Sequence, residues 1–241
     1  MFLILSICLP AGIVFVYQLT WNTHPTTPSE EQKKTTENTT KATQVLLDVP
    51  LESQFTDPAL NNGCEVTALS MLLNYYGYDT TKNELATQLA YVPVFNADGT
   101  HGDPNEGFVG EIAGGDWAMG VFVPPIATLA KTIVDSQKYS VHSEKGADFS
   151  SIIKALDSGS PVWTLVTVEF QVPTEEDFVT WTTNNGQVTV SPLIHACIVT
   201  GYDADSIYVN DPYGHKNRKV PQKDFKKIFK SMGGQLLYLE K

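Results

Sequence analysis

Cysteine is scarce in this chain: three residues, Cys8, Cys64 and Cys197, among 241. They are too few and too scattered to staple a small scaffold or build a four-thiolate zinc knot, so each has to be read singly. Positive charge is short as well. Lys and Arg total 16 against 27 Asp and Glu, a net charge of −11. That balance excludes a groove that neutralises phosphates with basic side chains, and nucleic acid is not an expected partner. No fixed-period repeat appears, which sets aside solenoids and propellers. Metal-ligand spacing is missing too: Asn96, Asp98, His101, Asp103 and Glu106 gather in a Gly-rich stretch, but their offsets miss the calcium-loop pattern. No metal and no cofactor are expected. Apolar residues, by contrast, make up 42% of the chain, enough to bury the core of one sizeable domain.

Three zones follow from the order of residues. Residues 1–21 carry no charge and are apolar over most of their length, meeting the roughly 20-residue requirement for crossing a bilayer. Neither a basic n-region nor a small-residue cleavage site is visible, so an uncleaved signal-anchor is expected rather than a signal peptide. Residues 22–44 hold eight threonines with Pro25 and Pro28 and have almost nothing to bury, the composition of a flexible tether. Residues 45–241 read as one mixed domain, expected to be monomeric and to sit outside the cytoplasm, held at the membrane through 1–21. The acid excess lies inside it: residues 45–215 carry 22 acids and 5 bases, whereas 216–241 carry 2 acids and 8 bases. The lysines of that last stretch, Lys223, Lys226, Lys227 and Lys230, are expected to form a solvated helix face.

Within the domain, Val66, Leu69, Leu72, Leu73 and Tyr76 recur at three and four, predicting a helix over 62–77. Asn61 or Asn62 is placed to cap it and Gly77 to end it. Further helices are predicted over 82–90, 125–135 and 150–158. Strands rich in Val, Ile, Thr and aromatics are predicted over 161–169, 187–190, 194–202, 206–210 and 235–239. Helices first and strands later describe an α+β domain. Residues 92–123, with seven glycines, are long for a passive connection and suit an active-site wall.

Cys64 opens the strongest predicted helix, where unpaired N–H groups and the helix dipole favour negative charge. Its thiol is therefore expected to ionise more easily than a free cysteine. Gly63 before it would let the backbone approach a substrate. About 130 residues downstream, His195 interrupts an apolar strand and needs partners for both ring nitrogens. The segment from Gly201 to Asp205 reads as a hairpin turn, and folding the strands about Ala204 brings Asp211 to within a residue or two of His195. Asn210 is the rival orienter, but adjacent strand residues point to opposite faces, so only one of the two can serve. Cys64, His195 and Asp211 together supply the nucleophile, base and orienter of a thiol acyl-transfer site. Cys197, two residues from His195, reads as a buried filler.

Five separated motifs, in order, resemble one family. They are Gly63-Cys64-Glu65-Val66-Thr67-Ala68 leading to Leu73-Asn74-Tyr75-Tyr76-Gly77; Asp103-Pro104-Asn105-Glu106-Gly107-Phe108-Val109-Gly110; Gly159-Ser160-Pro161-Val162; His195-Ala196 with Gly201-Tyr202-Asp203; and Asn210-Asp211-Pro212. The sequence after the tether is similar to the bacteriocin-processing-peptidase-like branch of papain-like cysteine peptidases. The resemblance implies a papain-like fold, a nucleophile-bearing helix packed on an antiparallel sheet carrying His and Asp. It also implies roles: Cys64 as nucleophile, His195 as general base and acid, Asp211 as orienter, and Gln54 as oxyanion-hole donor beside the Cys64 backbone N–H. Relative to the founding enzymes, Asp57, Pro58 and Ala59 are inserted between Gln54 and Cys64. A peptide or protein is the implied substrate. The competing readings are a binding module that keeps the fold without turnover and an acyltransferase that uses the same thiol.

Overall fold

The computed structural model describes residues 44–115 and 117–241. The expected anchor over 1–21, and the tether over 22–44 except Gln44, lie outside the described residues. Among the described residues no helix is long and apolar enough to cross a membrane.

In chain order the elements are β1 (Val45–Leu46), α1 (Cys64–Tyr75), α2 (Lys82–Gln88), β2 (Tyr91–Val92), β3 (Phe108–Gly110), β4 (Ala118–Gly120), α3 (Val123–Ile133), β5 (Ser140–Glu144), α4 (Phe149–Asp157), β6 (Val162–Thr167), β7 (Val179–Thr183), β8 (Gly186–Val190), β9 (Ile194–Tyr202), β10 (Ser206–Asp211), β11 (His215–Pro221), α5 (Gln222–Ser231) and β12 (Leu236–Glu240). Antiparallel pairing orders the main sheet β11-β10-β9-β6-β12-β5, and β1 adds to β9 where β6 has ended. A small sheet, β2-β3-β4, and a hairpin, β7-β8, stand apart from it. This is the α+β papain-like arrangement that the sequence predicts, with helix α1 packed on β9 and β6.

Helix α1 is buried on nearly every side, from Cys64 through Leu73, because the sheet lies on one face and α2 and α3 lie on the others. A helix apolar all round is what such a central position needs. Trp163 on β6 ties its start to the sheet, donating Nε1–H to the Glu65 carbonyl at 3.0 Å. The helix ends where Gly77 takes a φ of +83°, which a side chain would resist. Its start is capped differently from the prediction. Gly63 is the N-cap with no side-chain bond, and Asn62 instead reaches 49 residues ahead, donating to the Glu111 carbonyl at 2.8 Å.

Three other expectations change. Segment 92–123 contains strands β3 and β4 as well as loop, and its Ala118, Met119 and Gly120 line a cleft that Cys64 and His195 also line. Strands β5, β7 and β11 escaped prediction: β7 and β11 are largely exposed, and their polar residues hide the alternation. Helix α5 follows the strands rather than preceding them; it buries Phe225, Ile228 and Phe229 while Lys223, Lys226, Lys227 and Lys230 face solvent, as the charge pattern predicts.

Candidate active site

His195 comes from β9 and Asp211 from the end of β10, and the hairpin register decides how they meet. Tyr208 pairs with Gly201, but Val209 pairs with Val199, so the ladder slips by one at Thr200. An unslipped ladder would put Asn210 on the face of β9 that carries His195. The bulge puts Asp211 there instead, opposite Cys197 and diagonal to His195. His195 Nε2 lies 2.9 Å from Asp211 Oδ1, with the two side chains 2% and 1% exposed. Asn210 turns the other way and donates to the Val49 carbonyl at 3.0 Å.

The carboxylate is fully engaged. Oδ1 also accepts the Tyr213 N–H at 3.0 Å, and Oδ2 accepts Arg218 Nη1–H at 3.0 Å. Burial alone would raise the Asp211 pKa, but His195, the Tyr213 N–H and Arg218 together hold it below the usual carboxylate range. An ionised carboxylate only accepts, so His195 Nε2 is the protonated nitrogen and Nδ1 is left to take a proton. The imidazole is flanked edge to face by Tyr213 and Phe170, with centroids 4.7 and 6.4 Å away.

Arg218 was missed in the sequence, although it is the only arginine of the chain. Its Nη2–H donates to Glu169 Oε2 at 2.7 Å, and its guanidinium lies 4.9 Å from the Phe170 ring. Glu169 and Phe170 both have positive φ, 57° and 56°, a conformation that non-glycine residues adopt only when held. One cation therefore fixes both the orienting carboxylate and the turn beside the imidazole.

Cys64 faces His195 across a cleft of about 210 Å³, which Gln54, Glu65, Met119, Gly120 and Tyr213 also line. The sequence expectation for the thiol is reversed. Burial pushes its pKa well above the ordinary range, and the charge and hydrogen bond of Glu65 push the same way, against smaller opposing effects of the Ala196 and Cys64 N–H groups. The helix N-terminus does favour an anion, and Glu65 is the carboxyl placed there: burial raises its pKa, opposed by the Glu65 and Val121 N–H groups, the Cys64 thiol and His195. The Glu65 carboxyl is 1% exposed, accepts the Cys64 Sγ–H at 3.2 Å and accepts the Val121 N–H at 3.0 Å. A thiolate there would be a second negative charge. Gly63, too, has a different reason for being glycine: a Cβ would collide with Leu60 Cβ, so the space it leaves is filled by this chain.

Gln54 sits on the opposite rim, 1% exposed. Its backbone N–H donates to the Pro212 carbonyl at 2.8 Å, its carbonyl accepts the Leu60 N–H at 2.8 Å, and Nε2 donates to the Asn61 carbonyl at 2.7 Å. Oε1 is buried without a partner among the described residues. The inserted residues 57–59 form the loop between these bonds, and a buried lysine closes it. Thr81 and Glu84 make a capping box that starts α2. Lys82 in its first turn is 2% exposed and donates Nζ–H to the carbonyls of Thr56 at 2.8 Å and Pro58 at 2.9 Å, and to Asn83 Oδ1 at 2.7 Å. Nothing in the sequence marks Lys82, since lysines are usually exposed. A larger cavity, about 770 Å³, opens between Tyr75, Tyr76, Tyr139 and Tyr238. It contains none of these groups.

Residues 46–237 match the model of the Peptidase_C39 like family. The chain belongs to that family. Among similar chains, the uncharacterised protein YvpB of Bacillus subtilis (strain 168) is 45% identical over 195 residues, 81% of this chain and 76% of YvpB. The crystal structure of a putative C39-like peptidase from Bacillus anthracis superposes with a TM-score of 0.76 at 35% identity, covering 82% of this chain and 98% of that one. Residues 46–237 are thus a C39-like, peptidase-like domain on the papain-like fold.

Proposed function

We propose that this domain is a thiol hydrolase that cleaves a peptide or amide bond. Cys64 loses its proton to His195 Nδ1 and attacks the carbonyl carbon, forming the S–C bond. His195 returns that proton to the leaving amine as the C–N bond breaks, and then takes a proton from water, whose oxygen displaces sulfur and releases the acid. The oxyanion formed at each attack is assigned to the Cys64 backbone N–H and the Gln54 amide. The observation that carries this reading is the buried His195–Asp211 bond on the same cleft as a helix N-terminal cysteine. The test is proteome-wide substrate profiling with the protein beside Cys64→Ala: new peptide termini are expected only with the intact thiol, and equal cleavage by the variant would overturn the assignment. Added amine acceptors that yield ligated product would identify an acyltransferase instead.

One observation favours the reading without turnover: the resting thiol is held neutral against Glu65. A ligand retained uncleaved and equally well by Cys64→Ala would establish that reading. We further infer that residues 1–21 hold the domain outside the cytoplasm, with 22–44 as spacer. Protease shaving of intact cells should digest the domain; its survival while known surface proteins are cleaved would contradict this.

A further inference from the structure

The seat of Glu65 is more elaborate than helix capping needs. Helix α1 supplies the carboxyl, β4 supplies the Val121 N–H just past its end, and Gly120 lies against Oε1 with a φ of +100° where any Cβ would collide with that oxygen. The titratable groups facing the carboxyl are Cys64 on α1, His195 on β9 and Tyr91 on β2. Of these, Cys64 is the one it hydrogen-bonds by its side chain. The thiol is thereby offered an acceptor other than the imidazole.

We propose that Glu65 is a positioning residue for the nucleophile: seated against Gly120 and Val121, its carboxylate accepts the Cys64 Sγ–H and holds the thiol protonated and turned from His195 until substrate occupies the cleft. Attack then begins with the thiol leaving Glu65 and passing its proton to His195 Nδ1. The consequence is a cysteine quiet toward small electrophiles despite its place at a helix N-terminus, which protects the cleft-lining thiol from oxidation and alkylation between turnovers.

This rests on Cys64 being the nucleophile, but its test needs no turnover. Alkylation of Cys64 by iodoacetamide, followed by peptide mass spectrometry across a pH series on the full chain, compares wild type with Glu65→Gln. The amide keeps an acceptor for the Val121 N–H and offers Sγ a donor in place of an anion. The midpoint is expected to fall by about one pH unit or more, which is about tenfold faster labelling near neutral pH. An unchanged or higher midpoint in a variant with wild-type thermal unfolding would overturn the proposal. Should Glu65→Gln fail to fold, the wild-type S–H infrared band, taken as a difference against Cys64→Ala, decides: a red-shifted band at neutral pH supports the proposal, and an absent or unshifted band overturns it. A lowered midpoint without any hydrolysis counts against the hydrolase reading alone. Hydrolysis with an unmoved midpoint counts against Glu65 alone.

Discussion

The two halves of the cleft are built on opposite principles. On the sheet side, His195, Asp211, Arg218 and Glu169 form a chain in which both Asp211 oxygens have partners and the imidazole is wedged between rings. On the helix side, Gln54 Oε1 is buried without a partner among the described residues, and the thiol hydrogen-bonds a buried carboxyl. An unmet buried acceptor costs about 1–3 kcal/mol, so that side is less stable than its packing allows. If the domain acts as proposed, the contrast means that the base is prepared before substrate arrives, while the nucleophile and the oxyanion donor have still to be released to it.

The contrast breaks most visibly at the base. His195→Ala should lower kcat/KM by on the order of 10⁴, because nothing else on the sheet side can take the thiol proton. A loss under tenfold, measured on any peptide the wild type cleaves, would move the base elsewhere. On the helix side, Gln54→Ala should lower kcat by about 10²–10³ through loss of an oxyanion donor. Its melting temperature should fall modestly, since the Asn61 carbonyl loses its donor and a buried side chain is removed. A drop in stability with kcat unchanged would make Gln54 a packing residue.

Arg218→Met tests whether the sheet side is prepaired by charge. The folded pKa of Asp211 lies below the unfolded value of about 3.9, so its contribution to stability is fully present above that value and is lost as pH falls through the lower folded one. Removing the guanidinium should raise the folded value, move acid unfolding to higher pH and reduce kcat by about tenfold, in line with one lost charge-assisted bond. Superimposable acid-unfolding curves would refute this. The smallest effect is expected at Lys82→Met, which strips a donor from Thr56, Pro58 and Asn83. Stability should fall by about 1–3 kcal/mol, and kcat only several-fold with KM steady, as the 55–59 loop loosens beneath Gln54; denaturant melts beside kinetics would separate the two.

Much of this arrangement was legible before folding was considered. The periodicity of α1, the apolar run of β9 and the turn residues at Gly201 to Asp205 are local signals; they put Cys64 at a helix start and bring Asp211 near His195, while the joining of Cys64 to that pair came from residue chemistry and the family resemblance. The misses are non-local. Lys82 and Arg218 look like ordinary surface cations until the 53–60 loop and the Glu169–Phe170 turn fold over them. The thiol was misjudged because dipole reasoning considers the helix end but not which neighbour already fills its demand for charge. Burial of Glu65 against Gly120 answers that, and Gly120 is 55 positions away.

The sequence by itself determined the α+β class and the family resemblance, since these follow from periodicity, composition and motif order. Only the tertiary structure decided which of Asn210 and Asp211 meets the histidine and what the resting thiol touches. One residue of slip at Thr200 turns Asp211, and not Asn210, toward His195, because strand side chains alternate and a single bulge exchanges the two faces. The thiol's partner was set by a β-strand delivered from another part of the chain, where glycine left room for a carboxylate.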